Sequence, residues 1–154
     1  MGKLDNKVAI ITGGNAGVGK EIAKLFASEG AKVVISARRQ QVLEEAAKEI
    51  EAAGGTVLCV PTDISKVDDV KNLVSKTVET FGQLDILINN AGIRGGHIAT
   101  VTEADYDMIL DTNLKAVFFL SRLVGKYMKE NKITGNILNI ISSSGLRPAT
   151  SAYT

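Results

Sequence analysis

Apolar residues occur in short runs separated by longer stretches of mixed polarity. Val8-Ala9-Ile10-Ile11 is continuously apolar and reads as a strand buried on both faces. Residues 32–36, 56–60, 84–88 and 135–141 predict four further strands. The stretches between them carry helical spacing instead. Over 21–29, Ile22, Leu25 and Phe26 share one face. Over 39–53, Val42, Ala46 and Ile50 repeat beside Leu43 and Ala47. Behind Ser65 come Val70, Leu73, Val74, Thr77, Val78 and Phe81, and behind Thr102 come Ile109, Leu110, Val117, Leu120 and Val124. Gly30, Gly54-Gly55 and Gly82 stop the first three helices. Ser65 with Asp68, and Thr102 with Asp105, read as N-caps with an acid at the third position.

Strands alternating with crossover helices predict an α/β fold, a doubly wound parallel sheet with helices on both faces. The expected strand order is 3-2-1-4-5. No repeat, linker or low-complexity tract interrupts the pattern, so residues 1–154 read as one dinucleotide-binding domain.

The turn after the first strand, Thr12-Gly13-Gly14-Asn15-Ala16-Gly17-Val18-Gly19, adds chemistry to this frame. Glycines between a strand and a helix let backbone N–H groups and the positive helix end approach a phosphate. In that context the repeat points to a dinucleotide site. Gly13 is expected to adopt a φ that other residues resist, or to sit too close to the cofactor for a Cβ. Gly19 is expected to pack its helix against the sheet.

Composition narrows the field. The 154 residues are 45% hydrophobic and 23% charged, with a formal net charge of +1. That balance gives no general pull towards nucleic acid or membranes, and Arg38-Arg39 is too short for a nucleic-acid patch. No apolar run approaches the ~20 residues of a membrane span. Lys3, Asp5 and Lys7 break any secretory leader, so a cytoplasmic protein is expected. The single cysteine, Cys59, falls in an apolar run and reads as buried and inert. No cluster of histidine, cysteine and carboxylate suggests a metal. His97, the one histidine, reads as an exposed loop residue rather than a substrate contact.

Four landmarks carry a resemblance: the glycine turn, Asn89-Asn90-Ala91-Gly92, Asn113 within the long helix, and a serine-rich strand end before Tyr153. Together, in this order, they resemble the short-chain dehydrogenase/reductase family over the whole chain. The resemblance implies a Rossmann-like fold and hydride transfer between a nicotinamide cofactor and an alcohol or carbonyl substrate. It implies cofactor contacts at Gly13, Asn15, Gly17, Val18 and Gly19, at Asp63 and Ile64, and at Asn90, Ala91 and Gly92. Asp63 matches the family's adenine contact, and Asn89 a structural position. Tyr153 matches the residue that exchanges a proton with the substrate oxygen. Asn113 matches one that interrupts its helix and holds a water in the proton relay. Ser142 matches the serine that hydrogen-bonds the substrate oxygen, with Ser143 the second choice.

The end of the second strand reads the ribose. Ser36-Ala37-Arg38-Arg39 contains no acid to bond the ribose hydroxyls, while arginine holds a phosphate with a fixed fork of donors. NADP(H) is therefore expected over NAD(H), with Arg38 the main contact and Ser36 and Arg39 secondary. The family's active-site lysine lies four residues after the tyrosine, beyond Thr154, and its sheet has seven strands. The domain is thus expected to be incomplete, with strand five an unguarded edge. A chain ending at Thr154 is expected to aggregate or need a partner, bind NADP(H) weakly and turn over no carbonyl. The alternative is a non-catalytic nucleotide-binding fragment. The full-length protein is expected to act on small molecules as a homo-oligomer.

Overall fold

The computed structural model describes residues 2–95 and 100–142. His97, Ser143, Ser144 and Tyr153 lie outside these residues. Five strands, β1 (Val8–Thr12), β2 (Lys32–Ala37), β3 (Thr56–Pro61), β4 (Ile86–Asn89) and β5 (Asn136–Asn139), form one sheet in the order β3-β2-β1-β4-β5. Every neighbouring pair is parallel. The expected Rossmann-like, doubly wound order is therefore present.

Two apolar layers cover the sheet. Ala9, Ile11, Val33 and Ile35 face Ala23 of α1 (Gly17–Ser28) and Leu43, Ala46 and Ile50 of α2 (Gln40–Ala52). Ile10, Val34 and Leu87 face Leu73 of α3 (Val67–Phe81) and Leu120 and Val124 of α5 (Ala116–Glu130). Successive positions along each strand thus feed opposite layers, as the period of two requires. β1 is buried at all five positions because it lies at the centre of the sheet.

Several local expectations need correction. Leu25 is exposed, and α1 instead packs Gly19 and Ala23, with Ile22 and Phe26 partly buried beside them. The glycine-rich start tolerates a helix that begins at Gly17, not at 21. Ser65 does not cap α3: Lys66 holds the cap position without a side-chain bond, and the Ser65 hydroxyl donates to Asp63 Oδ1 at 2.7 Å. Cys59 is half-buried rather than buried, and desolvation pushes its thiol pKa up, so it stays protonated.

The long helix after Thr102 is two helices. Thr102 caps α4 (Glu103–Leu110) in a reciprocal capping box with Asp105. A π-helical turn, Asp111–Lys115, then joins α4 to α5. β5 is shorter than its apolar run and exposed along its length. Among the described residues its outer edge has no neighbouring strand.

Candidate functional site

The glycine turn closes tightly over the end of β1. Gly13 has φ +67°, in the left-handed region, and its N–H donates to the Ser36 carbonyl at 2.7 Å. A Cβ on Gly13 would lie 2.9 Å from Asn90 Nδ2. One on Gly19 would strike the Gly13 carbonyl and the Asn90 amide. The first helical turn thus approaches the turn backbone as no other residue permits. Ala16, at the N-cap of α1, supplies no side-chain bond, and no acid stands in the first turn. The leading N–H groups of α1 remain available to an anion.

A cleft of about 270 Å³ opens at the carboxyl ends of β1, β2 and β4. It brings together Gly13, Asn15, Ser36, Arg38, Asp63, Ile64, Asn90, Ala91 and Gly92. Gly17, Val18, Gly19 and Arg39 do not line it. Gly17 serves the turn through φ +52°, Val18 is exposed, and Arg39 is the N-cap of α2. Arg38 is exposed and forms no ion pair among the described residues. Ser36 is fully buried, and its hydroxyl is a buried side-chain group without a hydrogen-bond partner. The Ser65 hydroxyl holds the Asp63 carboxyl below the usual carboxylate range, aided by the Ser65 N–H, Lys66 and Arg38. Burial opposes them.

The turn after β4 is tied to β1 by Thr12. Its hydroxyl donates to the Ile88 carbonyl at 3.3 Å and accepts the N–H groups of Asn90 and Ala91, both at 3.0 Å. Asn90 Nδ2 donates to the Thr12 carbonyl at 2.9 Å, so this amide helps bind turn to turn. Asn113, in the π-helical turn, grips the chain at Ile93, three residues past Asn90. Its Oδ1 accepts from Ile93 N at 2.9 Å and its Nδ2 donates to Ile93 O at 2.8 Å. A Cβ on Gly92 would press to 3.2 Å from that Oδ1. A second opening, about 580 Å³, brings Asn113 and Ser142 to the same space as Asn90–Gly92.

Sequence reasoning missed Thr12, Thr62, Ile93 and Thr112. Thr12 is the hub between the two turns, and the other three line the first cleft with Ala37. A polar residue ending an otherwise apolar central strand is the one signal that marks Thr12. Nothing comparable marks the rest.

A family model described as short chain dehydrogenase matches residues 7–154. The dehydrogenase subunit BbsD of Thauera aromatica, which acts on (2S)-[(R)-hydroxy(phenyl)methyl]succinyl-CoA by name, is 40% identical over 144 residues. That match covers 93% of this chain and 58% of the subunit. The 3-oxoacyl-[acyl-carrier-protein] reductase FabG of Thermotoga maritima is 36% identical, over 94% of this chain and 58% of the reductase. A 7α-hydroxysteroid dehydrogenase, complexed with NADH and 7-oxo glycochenodeoxycholic acid, superposes with TM-score 0.90 at 36% identity. It is matched over 97% of this chain and 59% of its own. A metagenomic short-chain oxidoreductase in complex with NADP gives TM-score 0.88 at 36% identity, over 97% of this chain and 69% of its own. The chain thus spans less than two thirds of the curated relatives it matches. With the parallel sheet, the glycine turn and the cleft at the strand ends, these matches establish that the chain belongs to the short chain dehydrogenase family of oxidoreductases.

Proposed function

We propose that the whole protein transfers a hydride between NADP(H) and a carbonyl or alcohol substrate, and that residues 1–154 belong to its one dinucleotide-binding domain. The observation that carries this reading is the ribose end of the cleft. Arg38 lines it without an ion pair among the described residues, and the end of β2 offers no acid. An acid there would repel a 2′-phosphate, whereas a guanidinium pairs with one through two parallel donors.

The residues fit the cofactor on two further counts. Any Cβ on Gly13 or Gly19 would fill the cradle between the two turns. The Ser36 hydroxyl, buried and unpartnered beside the cleft, carries the cost of an unmet polar group, about 1–3 kcal/mol, which a cofactor oxygen or its water would relieve. The bound nicotinamide supplies or accepts the hydride. Gly17, Val18 and Gly19 offer their N–H groups to phosphate, with Asn15 beside them at the cleft. Arg39 secures the ribose phosphate from the start of α2, and Asp63 and Ile64 receive the adenine. Asn90, Ala91 and Gly92 floor the nicotinamide side.

Ser142 hydrogen-bonds the substrate oxygen, and Tyr153 exchanges the proton with it. A free phenol, with a pKa near ~10, needs neighbouring positive charge to act at neutral pH. Asn113 fixes the Ile93 backbone beside the reacting centre through both of its amide atoms.

Cofactor dissociation constants of the full-length protein and its Arg38→Ala variant test the reading, alongside loss of NADPH absorbance over a panel of ketones. Wild type should prefer NADPH, and the variant should lose at least about tenfold in NADPH affinity, some 1.4 kcal/mol, with little change for NADH. A preference for NADH, or an unaltered NADPH constant in the variant, would sink it.

A further inference from the structure

Asn89 ends β4 and is buried, at 4% exposure. Its Nδ2 donates twice: to Ser121 Oγ on α5 at 3.0 Å and to Asn139 Oδ1 on β5 at 2.9 Å. Its carbonyl accepts from Ile140 N at 2.8 Å. Asn89 and Asn139 are also register partners in the β4–β5 ladder. One residue of β4 is therefore bonded to both other pieces of chain that lead into the proposed reacting centre. β4 runs directly into Asn90–Gly92. α5 continues from the π-helical turn that carries Asn113. β5 leads, three residues after Asn139, to Ser142.

We propose that Asn89, Ser121 and Asn139 form a positioning cluster that holds the Ser142 strand end in register with the cofactor turn and with Asn113. The physical need is local. β5 is only four residues long, and Ser142 lies three residues beyond its last ladder position. Backbone bonds to β4 set its register but allow it to pivot about the ladder. The Asn139 carboxamide adds a side-chain tie at the last ladder position, and the second Asn89 proton, given to Ser121, keeps that tie in one orientation. A shift of about 1 Å at a reacting group costs up to roughly a hundredfold in rate. Asn89 and Asn139 line the same opening as Ser142, and in this scheme all three residues act through Ser142 and not by contact with cofactor or substrate.

The inference rests on the reading of Ser142 given above, and the test separates the two. Four variants of the full-length protein, Ser121→Ala, Ser121→Thr, Asn139→Leu and Asn139→Asp, are compared with wild type. The measurements are kcat and KM for a ketone, the NADPH dissociation constant by titration, and the melting temperature. Asn139→Leu should lower kcat by about tenfold or more and leave the NADPH constant within about twofold. Asn139→Asp, which keeps the acceptor oxygen, should recover most of the loss. Ser121→Ala should lower kcat in the same direction, and Ser121→Thr should restore it. Unchanged kcat in Ser121→Ala and Asn139→Leu, with an active wild type, would overturn the cluster and leave the function reading intact. A parallel fall in kcat, cofactor affinity and melting temperature, without rescue by Asp or Thr, would reduce the three residues to folding contacts and overturn it too. A wild type that binds NADPH but reduces no carbonyl would bring down the function reading and the cluster with it.

Discussion

Glycine at position 19 is constrained by space, not by backbone angle. Its φ is not in the left-handed region, yet a Cβ would meet the Gly13 carbonyl and the Asn90 amide. Gly17 is the reverse case, with φ +52° and nothing within 4 Å of an added Cβ. Gly19→Val should therefore push α1 away from both turns at once. We expect a destabilisation of about 1–3 kcal/mol, typical of overpacking, with a larger proportional loss of NADPH binding because the proposed phosphate cradle moves. Thermal melts and titration calorimetry on the full-length protein check this. Full cofactor affinity in the variant would mean that the phosphate does not sit at this turn.

At the scale of elements, the join between α4 and α5 is the informative one. Apolar spacing after Thr102 suggests one long helix, but the chain inserts a π-helical turn at Asp111–Lys115. Such turns break the regular ladder and often mark functional sites. Here the turn carries Asn113, whose amide takes both the N–H and the carbonyl of Ile93. Asparagine is a poor helix former because its side chain competes for backbone groups, and in this turn it bonds backbone from another segment. Asn113→Ala should cost only about 1 kcal/mol in stability, since the contact is exposed, while kcat should fall by about tenfold or more. Melting curves and steady-state rates on the full-length protein separate the two effects. A rate that tracks stability alone would show that the turn has no part in the reaction.

Among the described residues, burial falls from the centre of the sheet to β5. β1 is buried at every position, whereas Ile137, Leu138, Ile140 and Ile141, in and just after β5, are exposed at 37%, 48%, 43% and 80%. An apolar strand edge without charge or proline templates pairing with another chain. Size-exclusion chromatography of the 154-residue chain should show self-associated species. Leu138→Lys, which places a charge on that edge, should shift the profile towards smaller ones. A monodisperse unsubstituted chain would contradict this. No helix among the described residues is long and apolar enough to cross a membrane.

Periodicity and glycine placement in the sequence by themselves determined the alternation of strands and helices, the parallel order of the sheet and the tight glycine turn after β1. These features depend on local sterics and on which face of each element is apolar, both written residue by residue. Gly30, Gly54 and Gly82 also mark their helix ends in the chain, because each takes a positive φ that disfavours other side chains. Tertiary structure decided what depends on partners distant in sequence. Leu25 fits its helical stripe as well as Ala23 does, and only the sheet beneath α1 selects the smaller residue for burial. Ser65 resembles a cap, yet Asp63 takes its hydroxyl. Thr12, 78 residues from Asn90, becomes the hub of two turns only once β1 and β4 pair. The same holds for Ser121 and Asn139, which carry no pattern along the chain and meet Asn89 because β4, β5 and α5 converge at one corner of the sheet.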